Sequence, residues 1–364
     1  MRPSTRVERF ASGDGVQVEL GAIERDLASL WRAASERGHA VTRACLWNLV
    51  WLVEDEVDLE NARALVDALV GTVPARVLLV SRPLSIGGDA ELQAWVSARC
   101  QPAAAGGKLL CSEEITIAAD ATGRARLPPL VRALLVPDVP AALLTRRLPA
   151  SLDDLIAHLG DVDRVVVDSG RPASPGLDAA MQLGELHRRA RARADLVDLG
   201  WLRAGPFRAL FASFFDPPIG PSPLRRAARV LVEHDEKGAI AGLLLFGWLA
   251  IRLHWSSPRR TGRSAWALRR PDGEHVELVL EPRPSDAGSD GIHLLALETL
   301  EGERFAIRDV DPHTIEWAGT GLEPRRMPSP EWTDEALLVE ALGARGLDRT
   351  FELALRLALD LLDA

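Results

Sequence analysis

The chain has 364 residues, enough for a large core and two or three domains, and a hydrophobic share of 47%, that of a globular protein. Its net charge of −9 argues against nucleic acid, whose phosphates call for a basic face. Only two of its 43 basic residues are lysines, Lys108 and Lys237, which leaves few candidates for a Schiff base.

Residues 16–37 carry Leu20, Ile23, Leu27, Leu30 and Trp31 on one helical face. The apolar run 42–53 ends in Glu54, Asp55 and Glu56 and reads as the first core strand. Residues 58–70 are helical in register, and 75–81 form a strand apolar on both faces, as parallel strands are. A short helix is expected over 89–100, a third strand over 109–117, and a helix over 127–135 that stops before Pro137. A fourth strand follows over 139–145, then a helix over 151–159 capped by Ser151, then a fifth strand over 163–168. This alternation predicts an α/β fold: a Rossmann-like, mostly parallel sheet with helices on both sides, over residues 1–170.

After the linker-like stretch 169–176, residues 171–364 read as a C-terminal α+β domain. Helices are expected over 177–194 and 201–215, then a strand over 227–233. The apolar run 238–251 is too short for a membrane span, which needs roughly 20 residues. It reads as a buried helix. A run of strands spans 264–317, with turns at 271–273 and 284–291, and two helices close the chain at 333–344 and 348–363. The first 20 residues lack the apolar core of a secretory signal. Cys45, Cys100 and Cys111 stand at unrelated spacings, so reduced thiols and a cytoplasmic location are expected, with a Cys100–Cys111 bridge as the alternative.

Chemistry-bearing patterns are sparse. Glu113 and Glu114 lead into the β-branched Ile115-Thr116-Ile117, and strand geometry sends them to opposite faces. They cannot act together on one substrate atom, and an exposed start of a strand is the plainest reading. There is no G-x-G-x-x-G turn, and Gly106-Gly107-Lys108 lacks the rest of a P-loop and reads as a hairpin turn. Gly87-Gly88 could expose amides to an anion at a helix start. The eight histidines hold no metal spacing, and His158 and His187 read as helix-surface residues. The basic run 188–193 reads as a solvated face, with an acidic partner surface as the alternative. Asp138 precedes a strand, while Asp168 and Ser169 follow one, the end where α/β folds place their sites. As turn or cap residues they are explained equally well. No catalytic, cofactor or metal residue is assigned.

Several ordered blocks carry a resemblance. They are Cys111-Ser112-Glu113-Glu114-Ile115, Leu134 through Pro140, Asp163 through Ser169, and Asp198 through Arg203 with Phe207-Arg208 after it. Phe214-Phe215-Asp216, Gly247 through Trp255 with Trp248 and Arg252, and Leu347 through Phe351 complete the set. Over residues 40–360 the chain resembles the OpcA family, the glucose-6-phosphate dehydrogenase assembly proteins. It departs from that pattern at Leu143-Leu144-Thr145, where the family tends to carry paired tryptophans, and at Phe207, where it usually has Trp. The resemblance implies a non-catalytic protein that binds glucose-6-phosphate dehydrogenase and promotes its active oligomer, with no cofactor, nucleic acid or membrane. Its ten tryptophans and absent tyrosines make Trp and Arg the expected interface anchors, centred on Trp201, Arg203, Phe207 and Arg208. A sugar-phosphate enzyme or sensor using Asp138, Asp168 and Ser169, and a scaffold for another partner, are the alternatives.

Overall fold

The computed structural model describes every residue except 1–7, 10–14, 37–39, 44, 82–90, 103–107, 174–176, 218, 284–290, 312, 330–331 and 345. Gly87-Gly88, Gly106-Gly107 and the turn at 284–290 therefore lie outside the described residues.

The first sheet has ten strands: β1 (Glu8–Arg9), β2 (Val16–Val18), β3 (Ala40–Arg43), β4 (Trp47–Val53), β5 (Ala75–Ser81), β6 (Leu92–Pro102), β7 (Lys108–Ala119), β8 (Ala141–Leu144), β9 (Arg164–Val167) and β10 (Asp195–Asp198). Its centre runs β7-β5-β4-β8-β9-β10, every neighbouring pair parallel. Antiparallel β6 continues it beyond β7. Alternation along the buried strands divides the core. Val50, Leu52, Leu78 and Leu143 face one side, against α1 (Ile23–Glu36), α3 (Leu127–Leu134), α4 (Asp153–His158) and α5 (Asp178–Ala190). Leu49, Trp51, Leu79 and Leu144 face the other, against α2 (Glu56–Leu69) and α10 (Asp334–Gly343). Leu143 and Leu144, at the paired-tryptophan position of the family, are thus core residues.

The second sheet has eight strands: β11 (Ala227–His234), β12 (Ser256–Gly262), β13 (Ala265–Arg269), β14 (His275–Pro282), β15 (Ile292–Thr299), β16 (Arg304–Asp311), β17 (Thr314–Gly319) and β18 (Arg325–Pro328). Their order is β12-β13-β14-β11-β15-β16-β17-β18, antiparallel except for β11 beside β14. Between the sheets run α6 (Leu199–Arg203), α7 (Gly205–Ser213) and the short α8 (Ser222–Arg225). α9 (Ala239–Arg252) is the expected apolar helix, buried along most of its 14 residues beneath the second sheet. α11 (Arg349–Asp363) packs beside it. Among the described residues no helix is long and apolar enough to cross a membrane.

Several expectations are corrected. Residues 92–102 are a strand, because Leu92, Ala94, Val96, Ala98 and Cys100 alternate with larger or polar residues at period two. Val16–Val18 leave the first helix to pair with β6. The run 42–53 breaks into β3, beside β7, and β4, in the centre. The helix 201–215 is two helices, broken at Ala204 before Pro206, which starts α7 without needing an amide partner. Ser151 stands one residue before the cap of α4, although its hydroxyl accepts from the Asp153 amide at 3.3 Å. His158 is buried, not a surface residue. Cys100 and Cys111 are opposite residues of β6 and β7 and form a disulfide, which corrects the expectation of reduced thiols. The antiparallel register brings together two cysteines 11 residues apart that no short motif would pair.

α9 comes close to α11 at Gly247, where an added Cβ would lie 2.2 Å from the Ala354 carbonyl oxygen. Backbone cannot yield there as a flexible side chain would. We expect Gly247→Ala to cost about 1–3 kcal/mol, the usual penalty for overpacking, read as a lower urea midpoint by tryptophan fluorescence.

Candidate functional site

Glu113 and Glu114 are buried within β7, at 4% and 2% exposure, so the exposed-start reading fails. They do point to opposite faces. Glu113 accepts from the Trp31 indole at 2.6 Å and pairs with Arg76, its neighbour across β5, at 2.7 Å. Glu114 pairs with Arg99 at 2.6 Å, and Arg99 reaches Asp67 on α2 at 2.5 Å. Each carboxylate has its own cation, which is what makes their burial tolerable. Both pairs join strands to helices.

The carboxyl ends of the parallel strands gather a second set of charges. Asp168, directly after β9, is fully buried. It accepts from the Gly170 amide at 2.9 Å and from both terminal nitrogens of Arg203 at 3.2 and 2.9 Å. Arg171 lies 3.8 Å from Asp168 and forms a two-pronged pair with Asp334 of α10, both distances 2.9 Å. The Ser169 hydroxyl donates to Asp198 at 2.7 Å. Asp198 also accepts from the amides of Ser169, Gly200 and Trp201, and so caps α6. Burial, with Asp168 nearby, pushes the Asp198 carboxyl up to about 6. Asp168 and Ser169 therefore hold elements together, and their polar atoms are taken by protein partners. Asp138 sits at a positive φ of 61° before β8, at the opposite edge of the sheet. The three residues do not form one site.

The α6–α7 cluster is also chiefly internal. Trp201 and Phe207 are buried, and the Trp201 indole donates to Asp348 at 2.8 Å. The Arg208 guanidinium stacks 3.4 Å from the centroid of the Trp201 ring and donates to the Trp201 carbonyl at 2.7 Å. Burial lowers its pKa to about 10, which leaves it charged at neutral pH. Trp201 on α6 and Arg208 on α7 thus meet across the break at Ala204, in an internal stack. Arg203 pairs with Asp168, not with Asp198 or Asp216. Trp248 is half-buried against Phe211, while Asp216 and Arg252 are exposed. In the basic run, Arg188 and Arg189 pair with Glu185 on the same helix.

A cleft of about 1050 Å³ opens beside the Asp168 cluster. One wall is the carboxyl edge of the parallel strands, with Glu54, Asp55 and Asp58 after β4 and Arg146 after β8. Lys237 and Arg283, after β11 and β14, form the other. The β4–α2 turn is closed on itself. The Asp55 carboxylate accepts from the Asp58 amide at 2.8 Å, and Asp58 accepts from the Glu54 amide at 3.1 Å. Burial raises the Asp58 pKa. In sequence Glu54 and Asp55 read only as the end of a strand. The signal that finds them is their position in the first strand-to-helix turn of an alternating chain. Among the described residues no group of acidic, histidine or cysteine side chains could hold a metal ion.

Residues 66–183 match the family model described as the glucose-6-phosphate dehydrogenase subunit N-terminal domain, and residues 194–355 match its C-terminal counterpart. A curated relative from Synechocystis, carrying the name OxPP cycle protein OpcA, is 26% identical over 201 residues. That match covers 55% of this chain and 41% of the relative, so the chain spans less than half of its length. Solved structures of oxidoreductases from Sinorhizobium meliloti and Thermotoga maritima align over 87% of this chain, and over 96% of each of theirs. Their identities are 12% and 8% and their TM-scores 0.48 and 0.41, too distant to bear on activity.

Removing the Asp168 carboxylate strands Arg203 within the fold. Asp168→Ala is expected to cost about 3–5 kcal/mol and Ser169→Ala about 1 kcal/mol in urea unfolding. Asp198 adds a pH dependence. Its carboxyl lies near 6 in the fold against 3.8 ordinarily, so the folded chain holds a proton that the unfolded chain has lost. Its contribution to stability therefore falls as pH rises from about 4 to about 6. Asp198→Asn should flatten that slope in melts taken across the same range.

Proposed function

The chain belongs to the OpcA family of glucose-6-phosphate dehydrogenase subunits, and we propose that it is a non-catalytic assembly factor that binds that dehydrogenase and favours its active oligomer. The observation that carries this reading is the pair of family matches, which together reach from β5 of the first sheet through the whole of the second. In this role the protein supports the oxidative pentose phosphate pathway and the supply of NADPH, in the cytoplasm with its partner. The mechanism is linkage: a protein that binds the active oligomer more tightly than the inactive form shifts the balance by that difference.

The first-sheet architecture supports a role without catalysis. Leaving aside β3, which also runs parallel to β7, the strands β7-β5-β4-β8-β9-β10 stand in the order 3-2-1-4-5-6, an order compatible with a Rossmann-like dinucleotide fold. Such folds seat the pyrophosphate on glycines and free amides in the first strand-to-helix turn. Here that turn is Glu54-Asp55-Glu56-Val57-Asp58, and its amides at Glu54 and Asp58 are taken by its own carboxylates. Like charges about 4 Å apart repel by about 4 kcal/mol near a protein surface, so a pyrophosphate seated against this turn would meet repulsion from its carboxylates. The Asp168–Ser169 pair, with its hydrogen bonds satisfied internally, offers no poised base.

The partner contact has to use exposed groups, so Trp201 and Phe207 are poor anchors. Asp216 and Arg252 remain at the surface, with half-buried Trp248 between core and solvent. We expect the isolated protein to reduce no NADP with glucose 6-phosphate, and to raise both the activity and the oligomer size of its cognate dehydrogenase. An NADPH assay combined with light scattering on the mixture tests this. NADP turnover that follows the pure protein, or absence of both complex and activation at micromolar concentrations, overturns the proposal. Trp201→Ala should lose activation through unfolding, so its melting curve has to be recorded alongside.

A further inference from the structure

The second sheet has one face on α9, and among the described residues no helix packs on the other as α9 does. Val230, Val232, Leu278, Leu280, Leu295, Leu297, Phe305 and Ile307 turn toward α9 and join the main core. The residues between them point the other way. Their register shows an ordered pattern. Ala265, Val279, Leu231, Ala296, Ala306 and Ala318 are successive cross-strand neighbours, one apolar row over six strands. All but Ala296 are partly exposed, and none belongs to the main core.

Charged rows flank it. On one side stand Glu277, Arg229, Glu298 and Arg304, again successive cross-strand neighbours, alternating in sign. Within the chain Arg229 lies 3.6 Å from Glu277 and Arg304 lies 3.7 Å from Glu298, all four about half exposed. On the other side the row runs Glu281, Glu233, Leu294, Arg308, Glu316 and Arg326.

We infer that this face binds a second copy of the chain, sheet against sheet. The argument is charge self-complementarity. A two-fold axis parallel to the strands, midway between β11 and β15, reverses the strand order of the second copy. It sets Arg229 against the copy's Glu298, Glu277 against its Arg304, and Glu281 against its Arg308. Each contact occurs twice, as two-fold symmetry requires. The apolar row meets itself, Leu231 over Ala296 and Val279 over Ala306. Stacked sheets lie about 10 Å apart, a gap that Arg and Glu side chains span while the small residues keep the centre close. A partner with another charge pattern would have no reason to match this alternation.

The test uses the isolated chain, so its failure is separate from any failure of dehydrogenase activation. Sedimentation at micromolar concentration should give twice the 39.5 kDa chain mass. Glu277→Arg faces the copy's Arg304, and Arg304→Glu faces the copy's Glu277, so each variant alone should run at single-chain mass. Mixed one to one, the two variants should regain the dimer. The arginine introduced in one chain then meets the glutamate introduced in the other, and the unaltered Arg304 of the first meets the unaltered Glu277 of the second. Residues 277 and 304 are three strand spacings apart within a chain, about 14 Å, so this rescue can pass only between copies. Glu281→Arg with Arg308→Glu repeats the test should one of the first variants melt early. A wild-type chain at single-chain mass, a dimer indifferent to Glu277→Arg, or a mixture that stays at single-chain mass overturns the inference.

Discussion

A carboxylate with no exposed surface has to be met by cations or amides, and Asp168 shows how much geometry that requirement sets. Its partner Arg203 lies on α6, so the short helix cannot shift without stranding a charge. Arg171 passes the constraint on to Asp334, which fixes the start of α10 against the first sheet. Asp198 then fixes the other end of the same region by capping α6 and holding Ser169. The last strand of the first sheet, the helix that follows it and a helix from near the chain's end are therefore located by one buried charge network.

Much of the parallel core was legible because β4, β5 and β8 are largely apolar and the helices keep a clean helical period, whereas β10, four residues with Asp at each end, gives no such signal. β4, β5, α2 and α9 needed nothing beyond local pattern. β6 was misread although its alternation is regular, because Ala, Ser, Arg and Gln suit a helix as well as a strand. β12 and β18 carry SSPRRTG and RRMP, polar edge strands with no buried side to impose alternation. The candidate site was harder, because its partners are distant. Glu113 meets Arg76 and Trp31, 37 and 82 residues away, and nothing beside it in the chain announces either. The disulfide likewise depends on a register that only the folded pair of strands supplies.

Trp201 and Arg208 illustrate a different ambiguity. A spacing of seven residues would put them on one face of a single helix, but the chain breaks at Ala204 and they meet instead between α6 and α7. The indole is consumed by Asp348 and the guanidinium by the ring itself, so a pair with the composition of an interface anchor has become a clamp between α6, α7 and α11. The accessible chemistry of the molecule lies instead in the polar cleft and on the open sheet.

The acidic turn after β4 has a consequence for the proposed role beside a dehydrogenase. A chain that kept the sheet and also kept free amides in that turn would bind dinucleotide, and in excess it would deplete the coenzyme its partner consumes. With Asp58 and Asp55 occupying the Glu54 and Asp58 amides, the turn has fewer donors left for a phosphate, and under the proposed role that limits such competition.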